Sequence, residues 1–269
     1  MEKKDLKPAG VFKYFEEICQ VPRPSKKEEK MIAYLKAFGA KHNLETKVDE
    51  AGNVLIKKPA TPGKENLQTV VLQSHIDMVC EKNNDVQHDF LTDPIETEID
   101  GEWLKAKGTT LGADNGIGVA TELAILADDS IEHGPIECLF TVDEETGLTG
   151  AFALKEGFMN GDILLNLDSE DEGELFIGCA GGIDSVAEFT YREVDVPAGY
   201  FCCKVQVKGL KGGHSGGDIH LGRGNANKLL NRFLSQTSQK YDMYLCEIDG
   251  GNPVSYTHLR AHETLSDLV

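Results

Sequence analysis

A histidine and an aspartate stand two residues apart where a predicted β-strand ends. The apolar segment TVVLQ, residues 69–73, is typical of a buried strand and leads into His75 and Asp77. Side chains at positions i and i+2 of a strand point to the same side, so we expect this imidazole and this carboxylate to lie side by side. Taken alone, a histidine at a strand end is more often an ordinary surface or core residue than a metal ligand.

Other acidic residues follow other predicted strands and turns. Asp114 lies in LGADNG, Asp143–Glu145 lie in TVDEETG, and Asp168 lies in LNLDSE. In open α/β sheets, ligands bind at the carboxyl ends of strands. Carboxylates and an imidazole gathered there would repel and desolvate one another unless a cation lay among them, and this donor set suits Zn²⁺, or else Mn²⁺ or Co²⁺. Each segment alone could equally be a solvated acidic loop or an Asn-Gly turn.

The elements that must position these residues have the pattern of an α/β fold. Apolar spacing predicts helices over 10–20, 26–43 and 115–128, and Ser25 with Glu28 is interpreted as a capping box for the second. Strands separated by helices favour a sheet with parallel strands. Strands are predicted in NVLIKK, TVVLQSH, EWLKA, IECLFTVDEE and DILLNLDSE, the last two as core strands.

The pattern changes near Gly181 and Gly182, and we place a domain boundary between residues 182 and 183. Beyond it, IDSVAEFTYREV and FCCKVQVKGL are predicted to be strands with one face in water, and GNANKLLNRFLSQTSQ is predicted to be an amphipathic helix. Strands covered by a helix on one side indicate a smaller α+β unit over residues 183–253.

Composition excludes several classes of function. The net charge of −18 disfavours nucleic acid as a partner. No apolar run is long enough for a spanning helix, and the charged N-terminus argues against a signal peptide, so no membrane partner is expected. The seven cysteines show no CxxC spacing, which fits a reducing, cytoplasmic location better than a disulfide framework.

Four long motifs resemble those of the M20 metallopeptidases, in particular their dipeptidases. The motifs are QSHIDMVCEKN, LGADNGIGVA, FTVDEETGLTGA and NLDSEDEGELFIGCAGG, and the resemblance covers residues 1 to about 250. It implies an α/β catalytic domain with a zinc-peptidase-like mixed sheet flanked by helices, followed by the start of an α+β lid domain. It also implies two zinc ions, hydrolysis of unblocked dipeptides including Xaa-His, and a homodimer formed through the lid.

The resemblance assigns metal ligands residue by residue. His75, Asp114 and Asp168 would bind the first zinc, and Asp114 would bridge to the second. Glu145 would bind the second zinc. The resemblance thus implies that the strand-end acids and the histidine form one dinuclear centre.

The remaining roles implied by the resemblance are catalytic and substrate-binding. Asp77 would hydrogen-bond His75 and fix its tautomer, and Glu144 would act as general base on a water. His214, in KGGHSGGDIH, would contact the substrate, whereas the sequence suggests no role for His220. The family also implies a cis peptide bond between Asp114 and Asn115.

The C-terminal part departs from the family pattern. The chain is shorter than these enzymes and is expected to be truncated within the lid, without the last histidine ligand, and therefore to be inactive by itself. Residues 254–269 are interpreted as a non-native tail, in which His258 and His262 lack the H-E-x-x-H order of a zinc motif but could still replace the missing ligand. A non-catalytic metal-binding fragment and another M20 amidohydrolase, such as a tripeptidase or deacylase, remain alternatives, although IDMVCEKN and GCAGG favour the dipeptidase.

Overall fold

A computed structural model describes the chain over residues 3–83, 85–169, 171–179, 181, 186–210, 219–250 and 264–268. The chain divides into two compact units, Met1–Phe176 and Ile177–Val269. The helices within the described ranges are all too short or too polar to cross a membrane. The domain boundary expected after residue 182 stays a prediction.

The first unit contains a mixed sheet with helices packed against it. In chain order, the elements are α1 (Ala9–Cys19), α2 (Glu29–Lys41), β1 (Glu45–Val48), β2 (Val54–Lys58), β3 (Val70–His75), β4 (Thr97–Asp100), β5 (Trp103–Ala106), α3 (Ala113–Ala127), β6 (Ile136–Thr141), α4 (Thr149–Ala153) and β7 (Ile163–Asn166). The strands of the mixed sheet have the order β1-β2-β6-β3-β7, in which β3 runs parallel to β6 and β7 while β2 is antiparallel to β1 and β6. The mixed sheet flanked by helices is therefore confirmed.

The core of this unit lies between the helices and one face of the sheet. The apolar stripe of α1 contributes Phe15 and Ile18, and α2 contributes Met31 and Leu35, all of which are buried. Helix α3 packs against α1 and β3. This packing fixes the start of α3 against the carboxyl end of β3, where the predicted site residues begin.

The predicted capping box at the start of α2 is wrong. The N-cap of this helix is Glu28, and its side chain makes no capping hydrogen bond. Instead, Glu28 Oε1 accepts hydrogen bonds from the backbone N–H groups of Lys26 and Asp143, and the Ser25 hydroxyl donates to Asp77 Oδ2. Both side chains bind partners contributed by distant segments, and these contacts replace the local motif.

Strand β7 is present where predicted, but it is not a core strand. Ile163, Leu164 and Leu165 are 39%, 47% and 43% exposed. The strand stands last in the sheet order, with β3 as its neighbour. A continuous apolar run is expected for a fully covered strand, and here it belongs to a strand at the end of the sheet.

The second unit contains β8 (Cys203–Val207), α5 (Ala226–Ser238), β9 (Leu245–Asp249) and β10 (Thr264–Leu268). Its strands form an antiparallel sheet in the order β8-β10-β9. Strand β8 and helix α5 confirm two predicted elements, and the Asn225 side chain caps α5 by accepting from Lys228 N–H. The strand predicted over 183–194 is wrong for residues 186–194, the portion of it that the structure describes.

Candidate metal centre

The site is built where the parallel strands β3, β6 and β7 end. His75 is the last residue of β3, Glu144 and Glu145 lie in the turn that follows β6, and Asp168 follows β7. Asp114 lies in the first turn of α3. Because parallel strands bring their carboxyl ends to one edge, the residues that follow β3, β6 and β7 converge there, together with Asp114 of α3.

The distances define a compact cluster around the imidazole of His75. Its Nε2 atom lies 3.0 Å from Asp114 Oδ1, 3.7 Å from Asp168 Oδ1 and 4.0 Å from Glu144 Oε2. Ligand atoms of His75, Asp114 and Asp168 all lie within 4.8 Å of one another, and so do those of His75, Glu144 and Glu145. An imidazole surrounded by carboxylates is a donor set that could hold a divalent metal such as zinc.

Asp77 connects the end of β3 to the turn after β6. Its carboxylate is fully buried, and Oδ1 lies 3.2 Å from His75 Nδ1. The same carboxylate accepts the backbone N–H groups of Glu144, at 3.0 Å, and Glu145, at 3.2 Å, as well as the Ser25 hydroxyl at 2.7 Å. Asp77 therefore contacts the imidazole and the backbone of both glutamates at once.

The turn after β6 is held in a backbone conformation that non-glycine residues rarely adopt. Asp143 has a φ of +51°, and its carboxylate accepts hydrogen bonds from the hydroxyls of Thr146 and Thr149. Its N–H donates to buried Glu28 at 3.0 Å. Glu28, Asp77 and Asp143 form a second acidic group. Its oxygens accept hydrogen bonds from N–H and hydroxyl groups of the turn and so stabilise it.

The acidic side chains of the cluster hold their protons more tightly than exposed carboxyls do. Burial, with the charge of Asp114, raises the pKa of Glu145 to about 8. Burial likewise raises the pKa of Asp168 to about 7, partly opposed by the charge of His75, and it raises the pKa of Glu144. Carboxylates in such mutual repulsion are suited to share a cation, whose charge would offset that repulsion.

The pKa values of His75 and Asp77 shift in the directions that favour an imidazolium–carboxylate pair. Burial disfavours the imidazolium, but the hydrogen bond to Asp114 and the nearby carboxylate of Asp77 outweigh it and raise the pKa of His75 to about 10. Burial also disfavours the Asp77 carboxylate, yet its contact with His75 and its N–H donors lower the pKa of Asp77 below its ordinary value. The carboxylate of Asp77 is thus held in its ionised form, which suits pairing with His75 Nδ1.

Three histidines considered from the sequence lie outside the described residues. They are His214, in the range 211–218, and His258 and His262, in the range 251–263. The cis peptide bond expected between Asp114 and Asn115 is present.

The sequence alone indicates no role in the site for Arg23, Ser25 or Glu28, although all three support it in the structure. They lie in or beside VPRPS, which is interpreted from the sequence only as a helix stop followed by a cap. An arginine between two prolines offers one weak signal, because a charged residue beside conformationally fixed positions is held in a defined place.

Known proteins resemble this chain over most of its length. Residues 71–266 match the model of peptidase family M20/M25/M40. Over 250 residues the chain is 51% identical to the cytosol non-specific dipeptidase of Escherichia coli K12. This matched region covers 93% of this chain and 52% of the relative. The chain spans about half the length of the curated relatives it matches.

Solved structures of peptidases also resemble this chain. An aminoacylhistidine dipeptidase from Vibrio alginolyticus superimposes with a TM-score of 0.67 and 49% identity, over 100% of this chain and 54% of that one. An aminopeptidase PepT from Bacillus cereus superimposes with a TM-score of 0.54 at 20% identity, over 96% of this chain and 65% of that one, which shows a shared fold alone. The family match spans most of the sequence and contains His75, Asp114, Glu144, Glu145 and Asp168. This chain therefore belongs to peptidase family M20/M25/M40.

Proposed function

We propose that the native protein is a dinuclear-zinc dipeptidase that hydrolyses unblocked dipeptides, Xaa-His among them. The observation that carries the proposal is the convergence of His75 with Asp114, Asp168, Glu144 and Glu145 at one edge of the sheet. The substrate class is supported by the names of the similar proteins from Escherichia coli and Vibrio alginolyticus.

The donor set supplies three ligands for one zinc ion and part of the ligand set for a second. His75, Asp114 and Asp168 would hold the first, with Asp114 shared, and Glu145 would contribute to the second. Asp77 would fix the tautomer and orientation of His75, since its Oδ1 lies 3.2 Å from Nδ1 and leaves Nε2 facing the acidic cluster. When bound, a pair of zinc ions would lower the pKa of a water and polarise the peptide carbonyl.

Glu144 is proposed as the general base. Its Oε2 lies 4.0 Å from His75 Nε2, and the side chain is one-third exposed. From there it would take a proton from the attacking water and return it to the leaving amine. His214 is proposed to contact the substrate. Its place in the glycine-rich KGGHSGGDIH segment and the family resemblance are what support that role.

Partners and location belong to the same proposal. A small peptide is the expected substrate, and we propose a cytoplasmic homodimer formed through the second unit. The net charge of −18 gives no support to binding of nucleic acid. The relative described as a cytosol dipeptidase supports the location.

The test is hydrolysis by the native-length protein of Ala-His and of the same dipeptide carrying an N-acetyl group. We expect cleavage of Ala-His only, loss of that cleavage after chelation, and recovery on adding Zn²⁺. Undiminished hydrolysis after complete metal removal would contradict a metallopeptidase. Equal cleavage of the acetylated peptide would instead favour an amidohydrolase of another specificity.

A further inference from the structure

Arg23 is a buried arginine that donates hydrogen bonds to three backbone carbonyls. The residue is 2% exposed. Its Nη1 donates to the carbonyls of Ile76, at 3.3 Å, and Asp77, at 3.2 Å, and its Nη2 donates to the carbonyl of Gly112 at 2.6 Å. One guanidinium thus connects the segment that follows β3 to the segment that precedes α3.

These two segments carry proposed ligands. Ile76 and Asp77 directly follow His75, and Gly112 lies two residues before Asp114. Across the gap between the segments, His75 Nε2 and Asp114 Oδ1 are 3.0 Å apart. The guanidinium therefore contacts backbone on both sides of the ligand pair whose separation defines the first proposed metal position.

Two glycines leave the space that the guanidinium occupies. A Cβ at Gly112 would lie 2.6 Å from Arg23 Nη2, and a Cβ at Gly116 would lie 2.7 Å from the same atom. Gly112 also has a φ of +68°, which favours glycine. Its carbonyl accepts both Arg23 Nη2 and the N–H of Gly116, so the guanidinium is built into the start of α3.

Backbone contacts hold Arg23 itself against the end of β3. Its carbonyl accepts the N–H of Met78 at 3.2 Å, and Pro24 forms a parallel bridge with Met78. Next in the chain, the Ser25 hydroxyl donates to Asp77 Oδ2. The segment Arg23–Ser25 therefore binds both the backbone and the carboxylate of the residue beside His75.

We propose that Arg23 is a positioning residue that sets the separation of His75 and Asp114 for metal binding. Its planar fork of donors reaches carbonyls of both segments at once, which the single ammonium of a lysine cannot reproduce. The inference rests on the proposed metal site, and it predicts that geometry rather than positive charge is what Arg23 supplies.

The test uses the 269-residue chain, its Arg23→Met and Arg23→Lys variants, and Co²⁺ alone as the probe. Co²⁺ affinity is measured by titration with visible absorption, which also reports ligand geometry. We expect Arg23→Met to weaken Co²⁺ binding by about 10–100-fold, as loss of groups that orient metal ligands does. Arg23→Lys should also bind weakly and give an altered spectrum, because it keeps the charge but loses the fork.

Two controls separate positioning from general damage. Leu35→Ala removes a buried core side chain of α2 and lowers the unfolding temperature without touching the site, and it should bind Co²⁺ as wild type does. Arg232→Lys changes an exposed arginine of α5 and should alter neither property. If Arg23→Met does not fold, Arg23→Lys carries the comparison with the same expected loss.

Backbone hydrogen exchange of the metal-free chain tests the positioning independently of the metal proposal. The N–H groups of Met78 and Gly116 should exchange faster in both Arg23 variants than in Leu35→Ala of matched stability. Wild-type Co²⁺ affinity in Arg23→Met, full recovery in Arg23→Lys, or unchanged exchange would overturn the inference. Absence of Co²⁺ binding in wild type would contradict the proposed metal site instead, and the exchange comparison would still decide the role of Arg23.

Discussion

Glu144 and Glu145 carry the same functional group in one turn, yet the proposal gives them different tasks. Glu144 is assigned as a base and Glu145 as a ligand of the second zinc. Replacing Glu144 by Gln should lower kcat by about 10²–10⁴-fold, because the amide cannot accept the proton of the attacking water. Metal content should be unchanged, and kcat and metal content are measured on the same preparations of the proposed enzyme.

The matched variant for this experiment is Glu145→Gln. It should lose part of the bound metal along with activity, since a carboxylate ligand is replaced by a weaker amide oxygen. Loss of metal from Glu144→Gln with full occupancy in Glu145→Gln would show that the two roles are exchanged.

The sequence predicts the chemical core of the site better than its supports. His75 and Asp77 follow from the period of a strand, because residues at i and i+2 share a side. The two side chains do lie 3.2 Å apart, although β3 ends at His75 and Asp77 lies two residues beyond it. Ser25 and Glu28 are assigned to the wrong motif, because a local pattern cannot show that their partners lie about 50 and 115 residues away in the chain.

At the scale of elements, α4 approaches the end of β6 so closely that its first turn requires glycine. A Cβ on Gly150 would lie 2.4 Å from the carbonyl oxygen of Val142 and 2.5 Å from Asn53 Oδ1. Asn53 is buried, accepts from Val142 N–H and donates to the Gly150 carbonyl, so it has little freedom to move. We expect Gly150→Ala to reduce the free energy of unfolding by about 1–3 kcal/mol through overpacking.

Urea unfolding followed by circular dichroism measures this effect. Gly178→Ala is the matched control, because no atom of the described residues lies within 4 Å of the Cβ it would add and Gly178 does not have a positive φ. Equal stabilities of the two variants would mean that α4 does not lie this close to β6.

A buried ion pair ties the sheet to the segment before β7 and makes stability depend on pH. Glu137 of β6 lies 2.7 Å from Lys57 Nζ and accepts the N–H groups of Asn160 and Gly161. Burial alone would raise the pKa of Glu137, but these contacts lower it below its ordinary value. The carboxylate therefore stabilises the fold above the ordinary glutamate pKa of about 4.3, and that contribution is lost as pH falls through the lower folded value.

Wild type should accordingly lose unfolding free energy more steeply than Glu137→Gln as pH falls from about 5 to about 3. At neutral pH the variant should be less stable by about 1–3 kcal/mol, because Lys57 and the two N–H groups lose their charged partner. Glu132→Gln, at an exposed position, is the control and should follow wild type. Parallel pH curves for wild type and Glu137→Gln would argue against a depressed pKa.

Element types follow from periodicity more reliably than burial or pairing does. The strands β3 and β6 and the helix α3 lie where their apolar spacing predicts them. The exposure of β7 depends on its place in the strand order, which single-strand patterns do not encode. The antiparallel pairing of β2 with β1 and β6, beside the parallel pairing of β3 with β6 and β7, is likewise a property of the whole sheet.

At the scale of the whole molecule, the four proposed ligands and the proposed base all belong to the first unit. His75, Asp114, Glu144, Glu145 and Asp168 lie within Met1–Phe176, together with the Arg23–Ser25 segment that supports them. Metal bound to the native state but not to the unfolded chain stabilises by about 2.7 kcal/mol at a hundred times its dissociation constant. Any such gain should therefore appear in the unfolding of the first unit.

The central claim is that these side chains form a divalent-metal site, and calorimetric titration of the metal-free 269-residue chain with Zn²⁺ tests it most directly. Wild type and His220→Ala, which removes an exposed histidine, should bind Zn²⁺ with equal affinity, whereas His75→Ala should lose that binding. Zn²⁺ binding that is absent from wild type, or that survives unchanged in His75→Ala, would contradict the account.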